Sequence, residues 1–406
     1  MSKKLIAYVG LNPVGGGQPG GGIAATAKPS GGGIEIFEVG ADGHSLTKIG
    51  NVEKPAKAGA LCYAAKTRTL YAVNELKTGG RGQEEQEKGS SITAFRVGND
   101  GLLTFINKQP AMGPNPTSLA LSGDEKALYC AHHGGFDHVE KVVQTADGKW
   151  GLRFEYDDAC TAQYALNNDG SIGEVTDVAV HYGHGPDPNP SPQHGGHAQS
   201  SGHAHCTTVD PSGKFLVVGD KGTDRAYVYT IGHKLETAFI FQSNEYTGPR
   251  HAAFDKKTGR LFMTYEFSSE LASFDFNANT GEMRLIHRAS TVAGFKGRNE
   301  PATLQVHSGG KYVFVNNRGE DTIVTMTVSP DGKLTRTSEV KVTETNVDPG
   351  KGTRFMMLSP SADYLFVTVR PDDVVRAYKI NAQDGTLTVA SEVPTQNPVY
   401  VQFVEL

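Results

Sequence analysis

The 406-residue chain predicts an all-β fold, a seven-bladed β-propeller, on three observations: an internal repeat with a period of about 50 residues, a composition suited to short strands and tight turns, and chain ends that complete one another. The repeat is plainest in SGHAHCTTVDPSGKFLVVGDKGTDRAYVYTI, from Ser201 to Ile231. It returns as GPRHAAFDKKTGRLFMTYEFSSELASFDF from Gly248 to Phe276, as EPATLQVHSGGKYVFVNNRGEDTIVTMTV from Glu300 to Val328, and as GTRFMMLSPSADYLFVTVRPDDVVRAYKI from Gly352 to Ile380. With 49 glycines and 20 prolines, the composition favours many turns over long helices. A ring of blades is one closed unit, so residues 1–406 read as a single domain.

In chain order, Leu5 to Val9 predicts a first strand, Asn12 to Gly33 a Gly/Pro-rich loop, and Ile34 to Val39 a second strand. The loop lacks the GxxxxGK[ST] pattern of a phosphate cradle. The first full repeat begins near Gly59 with ALCYAAKTRTLYAVNEL; its third strand is Ser91 to Val97, and Lys77 to Gly89 between them is a solvated polar insertion. The second repeat is NPTSLALSGDEKALYCAHHGG, from Asn115 to Gly135, followed by two polar hairpin-like segments and a His/Gly/Pro-rich loop insertion at about 181–202. The last segment, Asn397 to Leu406, is a lone strand. Together with the N-terminal half-repeat it predicts a blade built from both ends, which removes open sheet edges. Six internal repeats and this composite blade make seven. Within the repeats, Pro211-Ser-Gly-Lys214, Lys257-Thr-Gly-Arg260, Ser308-Gly-Gly-Lys311 and Ser361-Ala-Asp363 are hairpin tips of structural character.

Bulk properties exclude some function classes. A net charge of −5 offers no basic face for nucleic acid. No run approaches the roughly 20 apolar residues of a membrane span, and the apolar stretch of MSKKLIAYVGLN is too short for a signal sequence, so a cytoplasmic location is expected. Cys62, Cys130, Cys160 and Cys206 have no CxxC spacing and read as buried thiols.

Aligning the repeats on their turns produces two rings of polar tips at one mouth of the central channel. The lead-in to each first strand carries His203 to His205, Pro249 to His251, Glu300 to Ala302, and Thr353 to Arg354. The connector after each second strand carries Asn74-Glu75, His132-His133, Asp220-Lys221, Glu266-Phe267, Asn317-Arg318 and Val369-Arg370. The scaffold repeats while the tips differ, which points to a binding or catalytic site. Arg250 and Arg318 suit an anionic group because their forked donors grip planar oxyanions. Glu266 and the histidines His203 and His205 supply parts for acid–base chemistry. Glu75, His132, His133, Asp220, Lys221, His251, Glu300, Arg354 and Arg370 are candidate substrate-binding groups on the same rings.

HAHCTTVDPSGKFLVVGDKGTDRAYVY, GPRHAAFD with EFSSELASFDF, and VFVNNRGEDTI together resemble the repeat motifs of the seven-bladed lactonase family, which includes propeller-type 6-phosphogluconolactonases and carboxymuconate cyclases. The resemblance spans nearly the whole chain. It implies an active site made of an HAH histidine (His203 or His205), Arg250, Glu266 and Arg318, with no cofactor and no metal. It also implies a small anionic lactone as substrate. The loop before HAH departs from the family pattern: GHGPDPNPSPQHGGHAQSSGHAH is longer and lacks an arginine. Its histidines, His181, His184, His194 and His197, are separated by Gly, Pro, Ser and Gln without fixed ligand geometry, so the loop reads as a cover over the mouth with HAH at its anchored end. The leading function is hydrolysis of a sugar-acid lactone, with lactone-forming cycloisomerisation as the alternative. A non-catalytic interaction platform would call for apolar tips. No GxSxG elbow supports a covalent serine mechanism.

Overall fold

Burial patterns along each repeat show why four strands suffice for a blade. Second and third strands such as Phe215–Asp220 and Thr322–Val328 are buried on nearly every residue, because both their faces pack against neighbouring blades. Fourth strands such as Leu334–Lys341 alternate half-buried and exposed residues, as an outer edge does. The computed structural model describes residues 4–13, 31–77, 89–136, 138–186 and 199–406. These form seven four-stranded antiparallel sheets and one two-stranded hairpin. Blade 1 covers 61–110, blade 2 116–181, blade 3 208–242, blade 4 249–290, blade 5 300–341 and blade 6 356–394. Blade 7 joins 398–405 to 5–52.

The composite blade is present, with one correction. The N-terminal contribution is three strands rather than half a blade: Leu5–Leu11, Ile34–Val39 and Leu46–Val52, with Pro398–Glu405 paired to the first of them as the innermost strand. Blade 2 also differs from expectation. The first polar hairpin, 138–156, is a separate two-stranded sheet, but the second pair, Ala159–Leu166 and Ile172–His181, completes the blade itself. Nearly every side chain of Ala159–Leu166 is buried, Cys160 and Tyr164 among them, which the polar look of the whole segment concealed.

Neighbouring blades are tied at both ends. Away from the mouth, Tyr8 donates to the Gly101 carbonyl at 2.7 Å and Tyr71 to the Gly170 carbonyl at 2.9 Å, each reaching to the outer turn of the next blade. Near the mouth, Thr264 donates to the Ala302 carbonyl at 3.3 Å and the Asn316 amide to the Thr353 carbonyl at 2.9 Å, fixing the lead-in strands that carry site residues. All four cysteines are free thiols, three of them buried. Among the described residues no helix is long and apolar enough to cross a membrane.

Candidate active site

Each blade brings its two polar tips side by side through backbone hydrogen bonds. The Glu75 N–H donates to the Lys57 carbonyl, the Lys221 N–H to that of His203, and the Glu266 N–H to that of Gly248, while Glu300 pairs with Arg318 in register. Lead-ins and second connectors therefore do open on one face. Going round the ring, blade 1 supplies Lys57 and Glu75, blade 2 His133, blade 3 His203, His205 and Lys221, blade 4 Arg250, His251 and Glu266, blade 5 Glu300 and Arg318, and blade 6 Arg354 and Arg370.

A parity rule sorts the connector pairs. In blades 1, 2, 3 and 6 the last residue of the second strand turns into the blade and the next one faces the mouth, since successive side chains alternate; in blade 5 the strand runs one residue further, and its last residue, Arg318, is the mouth group. Asn74 thus accepts from the Lys57 N–H at 3.1 Å and donates to the Gly89 carbonyl. Asp220 plays the equivalent part in blade 3. Its carboxylate accepts from the N–H groups of His203 at 2.7 Å and Gly222 at 2.9 Å, and from His181 Nδ1 at 2.8 Å. Burial would push the Asp220 carboxyl up, but His181 and the backbone donors more than offset this and hold it below the usual range. Asp220 thereby braces the HAH lead-in, and His132 lies in the blade wall opposite Cys160; neither stands among the mouth groups where the sequence pattern places them. His181 corrects the loop expectation as well. It is fully buried at the end of blade 2, with Thr161 and Tyr229 hydroxyls each 3.1 Å from Nε2, and belongs to the blade rather than to a cover. Residues 187–198, including His194 and His197, lie outside the described residues. Among the described residues no cluster of His, Cys, Asp and Glu has the arrangement of a metal site.

Glu266, 1% exposed, is the hub of blades 3 to 5. Its Oε1 lies 2.6 Å from Lys221 Nζ, and its Oε2 contacts Arg250 Nε and lies 3.0 Å from Arg318 Nη2. Arg318 is shared with Glu300 at 2.8 Å, and Arg298 closes the far side of Glu300. Arg250, 2% exposed, is only partly satisfied: Nε faces Glu266 without hydrogen-bond alignment and Nη1 has no hydrogen-bond partner. Burial, with Arg318 beside it, pulls the guanidinium down to about 9, so it is charged at neutral pH.

Beside this hub stands a wall of imidazoles. His133 and His203 stack with centroids 4.4 Å apart, His205 meets His251 at 5.1 Å, and Phe136 packs on His203 at 4.7 Å. Burial pulls His203 down to about 4 and holds His133, His205 and His251 well below their ordinary value. These rings are neutral at pH 7. His203 Nδ1 lies 2.9 Å from the His133 carbonyl, which can only accept. The Nδ1 therefore carries the proton, and Nε2 keeps a lone pair that has no hydrogen-bond partner.

Across the mouth, Arg354 Nη2 contacts the Glu75 carboxylate, and Lys57 Nζ lies 3.3 Å from it. A Cβ on Gly59 would lie 2.0 Å from Glu75 Oε2, so the glycine makes room for that carboxylate. Burial would raise Glu75, but Arg354 and Lys57 more than offset it and hold the carboxyl below its usual range. Lys57 is the mouth residue that the repeat pattern misses. It falls outside the first repeat when that repeat is counted from Gly59, and inside it when counted from the position equivalent to His203.

The family described as "Lactonase, 7-bladed beta-propeller" matches residues 22–403. A 6-phosphogluconolactonase of Bacillus subtilis is 25% identical over 99% of each chain. An uncharacterized protein of Lactococcus lactis subsp. cremoris is 29% identical over 75% of this chain and 81% of its own. Among solved structures, the periplasmic gluconolactonase of Pseudomonas aeruginosa superposes with a TM-score of 0.76 at 22% identity, covering 98% of this chain and 99% of its own, a likeness of fold. With the seven blades and the family match running over nearly all of its length, the chain belongs to the seven-bladed β-propeller lactonase family.

Proposed function

We propose that the protein hydrolyses a sugar-acid lactone at the mouth, with Arg250 and His203 in direct contact with the reacting atoms. The observation that carries this reading is the coexistence, in one buried cluster, of an under-satisfied guanidinium and a bare imidazole lone pair. Buried polar groups left without partners are rare and expensive. At a lactone site both find one: the Arg250 donors take the carbonyl oxygen, and His203 Nε2 takes a proton from water.

Water oxygen adds to the carbonyl carbon as its proton passes to His203 Nε2, and the carbonyl electron pair moves onto an oxygen stabilised by Arg250. Collapse re-forms the carbonyl and breaks the ring C–O bond, and the departing alkoxide takes the proton back from the imidazolium, giving the open hydroxy acid. Glu266 is engaged by Lys221, Arg250 and Arg318 and serves to position Arg250. That favours His203 over Glu266 as the base, between which the sequence does not choose. Lys221 and Arg318 hold Glu266 in place, and the stack on His133 fixes the His203 ring.

The test is hydrolysis of gluconolactone and 6-phosphogluconolactone by the wild type and by Arg250→Met, followed by titration of released acid and identification of products. Hydrolysis by the wild type and a loss of about 100-fold or more in the variant would support the reading. A wild type that leaves both lactones intact but closes a carboxymuconate to a lactone would replace it with the cycloisomerase. A folded variant as active as the wild type would remove Arg250 from the chemistry.

A further inference from the structure

Between its second strand, Ala127–His132, and its third, Ala159–Leu166, blade 2 carries the separate hairpin of His138–Gln144 and Trp150–Tyr156. It leaves the rim of the mouth just after Phe136, and among the described residues neither of its strands has a second strand beside it. The register sorts its side chains. His138 lies opposite Tyr156, Glu140 opposite Phe154, Val142 opposite Leu152 and Gln144 opposite Trp150, so these share one face; Lys141 opposite Arg153 and Val139 opposite Glu155 share the other. Ring contacts of His138 with Phe154 at 4.9 Å and Tyr156 at 5.3 Å agree with that sorting. The first face is rich in large apolar groups, and the protein's own blades leave it open: Trp150, the single tryptophan of the chain, is 73% exposed, Val142 71% and Leu152 56%. The second face is ionic, with Glu155 lying 2.6 Å from Lys141 Nζ and 2.7 Å from Arg153 Nη2. A hairpin standing alone is marginal in water, and an open strand edge beside exposed apolar side chains is a template for another strand.

We propose that the Trp150–Tyr156 edge pairs with the same edge of a second copy of this chain, joining the two hairpins into one four-stranded antiparallel sheet across a two-fold axis. Such an axis runs perpendicular to the sheet and keeps each face on its own side, so a residue meets only partners from its own face. With the axis at Phe154, Arg153 of each copy stands opposite Glu155 of the other, and Leu152 opposite Tyr156, while the two Phe154 side chains meet at the centre. The ionic face gains two ion pairs, the apolar face becomes continuous, and the open row of backbone groups is filled. The His138–Gln144 edge offers no equivalent. Glu140 and Lys141 are adjacent and point to opposite faces, so no two-fold register sets one against the other, and an axis at either residue opposes like charges. Natural edge strands are commonly blunted by charges that repel a copy; Arg153 and Glu155, two residues apart on one face, attract it. The strip is only seven residues long. It is smaller than a permanent interface, so the dimer is expected to dissociate in the micromolar range. None of this depends on the lactonase reading.

The experiment is sedimentation equilibrium of the full chain at low salt, from about 1 to about 200 μM, on the wild type, Arg153→Glu, Glu155→Arg, the double variant carrying both changes, and Phe154→Asp. The wild-type mass should climb with concentration toward twice that of the monomer. Arg153→Glu sets a glutamate against Glu155 at both symmetric positions, and Glu155→Arg does the same with arginines, so each should weaken the dimer by about 10-fold or more. The double variant restores both pairs with their signs exchanged and should return to within about threefold of the wild type. Phe154→Asp places two carboxylates at the axis and should leave only monomer, with far-UV circular dichroism checking the fold of every variant. A wild type that stays monomeric throughout would overturn the proposal and leave the apolar face to a different partner. A dimer kept by all the variants would move the interface elsewhere and overturn it equally, as would a double variant no stronger than the single ones. Should Phe154→Asp not fold, the charge exchange decides the matter alone.

Discussion

The two ends of the channel are made from the same strands and follow opposite rules. At the end away from the mouth the same device recurs. Asp42, Asp100, Asp169 and Asp384 each accept a backbone N–H two residues on, in the outer turns of blades 7, 1, 2 and 6. Asp210 and Asp255 do the equivalent in inner turns, Asp210 taking N–H groups of Ser212, Lys214 and Phe215. At the mouth no two blades present the same set, and the charged groups are buried instead of solvated. Repetition marks where the backbone needs a fixed partner to turn; its absence is what meeting a ligand with no sevenfold symmetry of its own would call for.

Substitutions at the two ends should obey the same division. The largest effect belongs to His203→Gln, which should lower kcat/KM for lactone hydrolysis by about 100- to 10,000-fold, as loss of a general base does. Steady-state assay of the folded variant checks this. Next, Asp210→Ala at the far end should cost about 2 kcal/mol of stability, because three backbone donors lose their acceptor. Its kcat/KM should stay within a factor of about two of wild type; urea unfolding beside the lactone assay reads both. Least affected is Lys257→Ala on an exposed tip, expected within about 0.5 kcal/mol of wild type and silent in the assay. A large activity loss at Asp210, or a wild-type rate for His203→Gln, would erase the distinction between the ends.

Acid should act on the mouth in particular. His203, His205, His133 and His251 sit below 6.5 in the folded protein, so below that pH the unfolded chain binds more protons than the folded one. Their contribution is fully present above pH 6.5 and is lost as the pH falls through the window down to their folded values. Glu75 and Asp220, also depressed, add a further loss below the ordinary carboxylate range. Tm by calorimetry should therefore fall steadily from about pH 7 to about pH 4. A Tm that held level between about pH 6.5 and 5 would mean that the imidazoles are not buried neutral.

Much of the fold is legible in the sequence because a blade's pattern is local. Two buried strands, a glycine or aspartate turn and an alternating edge recur within each window of about 50 residues, and a lone strand at 398–405 can only be completed by the N-terminus. Where one blade carries an insertion the pattern blurs, and the outer pair of blade 2 looks like a surface hairpin. The mouth is legible as a ring but not residue by residue. Neighbours on a strand point to opposite faces, so Glu75, His133, Lys221 and Arg370 are separated from Asn74, His132, Asp220 and Val369 by parity alone, a signal present in the sequence. The choice between His203 and His205 is not there to read. The proposed preference for His203 rests on the His133 carbonyl, 70 positions away in the chain, which fixes the His203 tautomer.

The role of His203 is put at risk most plainly by the pH dependence of kcat/KM for lactone hydrolysis by the wild type, followed from about pH 8 to about pH 4. With His203 as the base and its imidazole pulled down to about 4, the profile should stay level on the acid side down to about pH 5 and fall only below that. An acid limb with its midpoint near 6.5 would mean that the base is an ordinary solvated histidine, and the buried, neutral His203 would lose its place in the reaction.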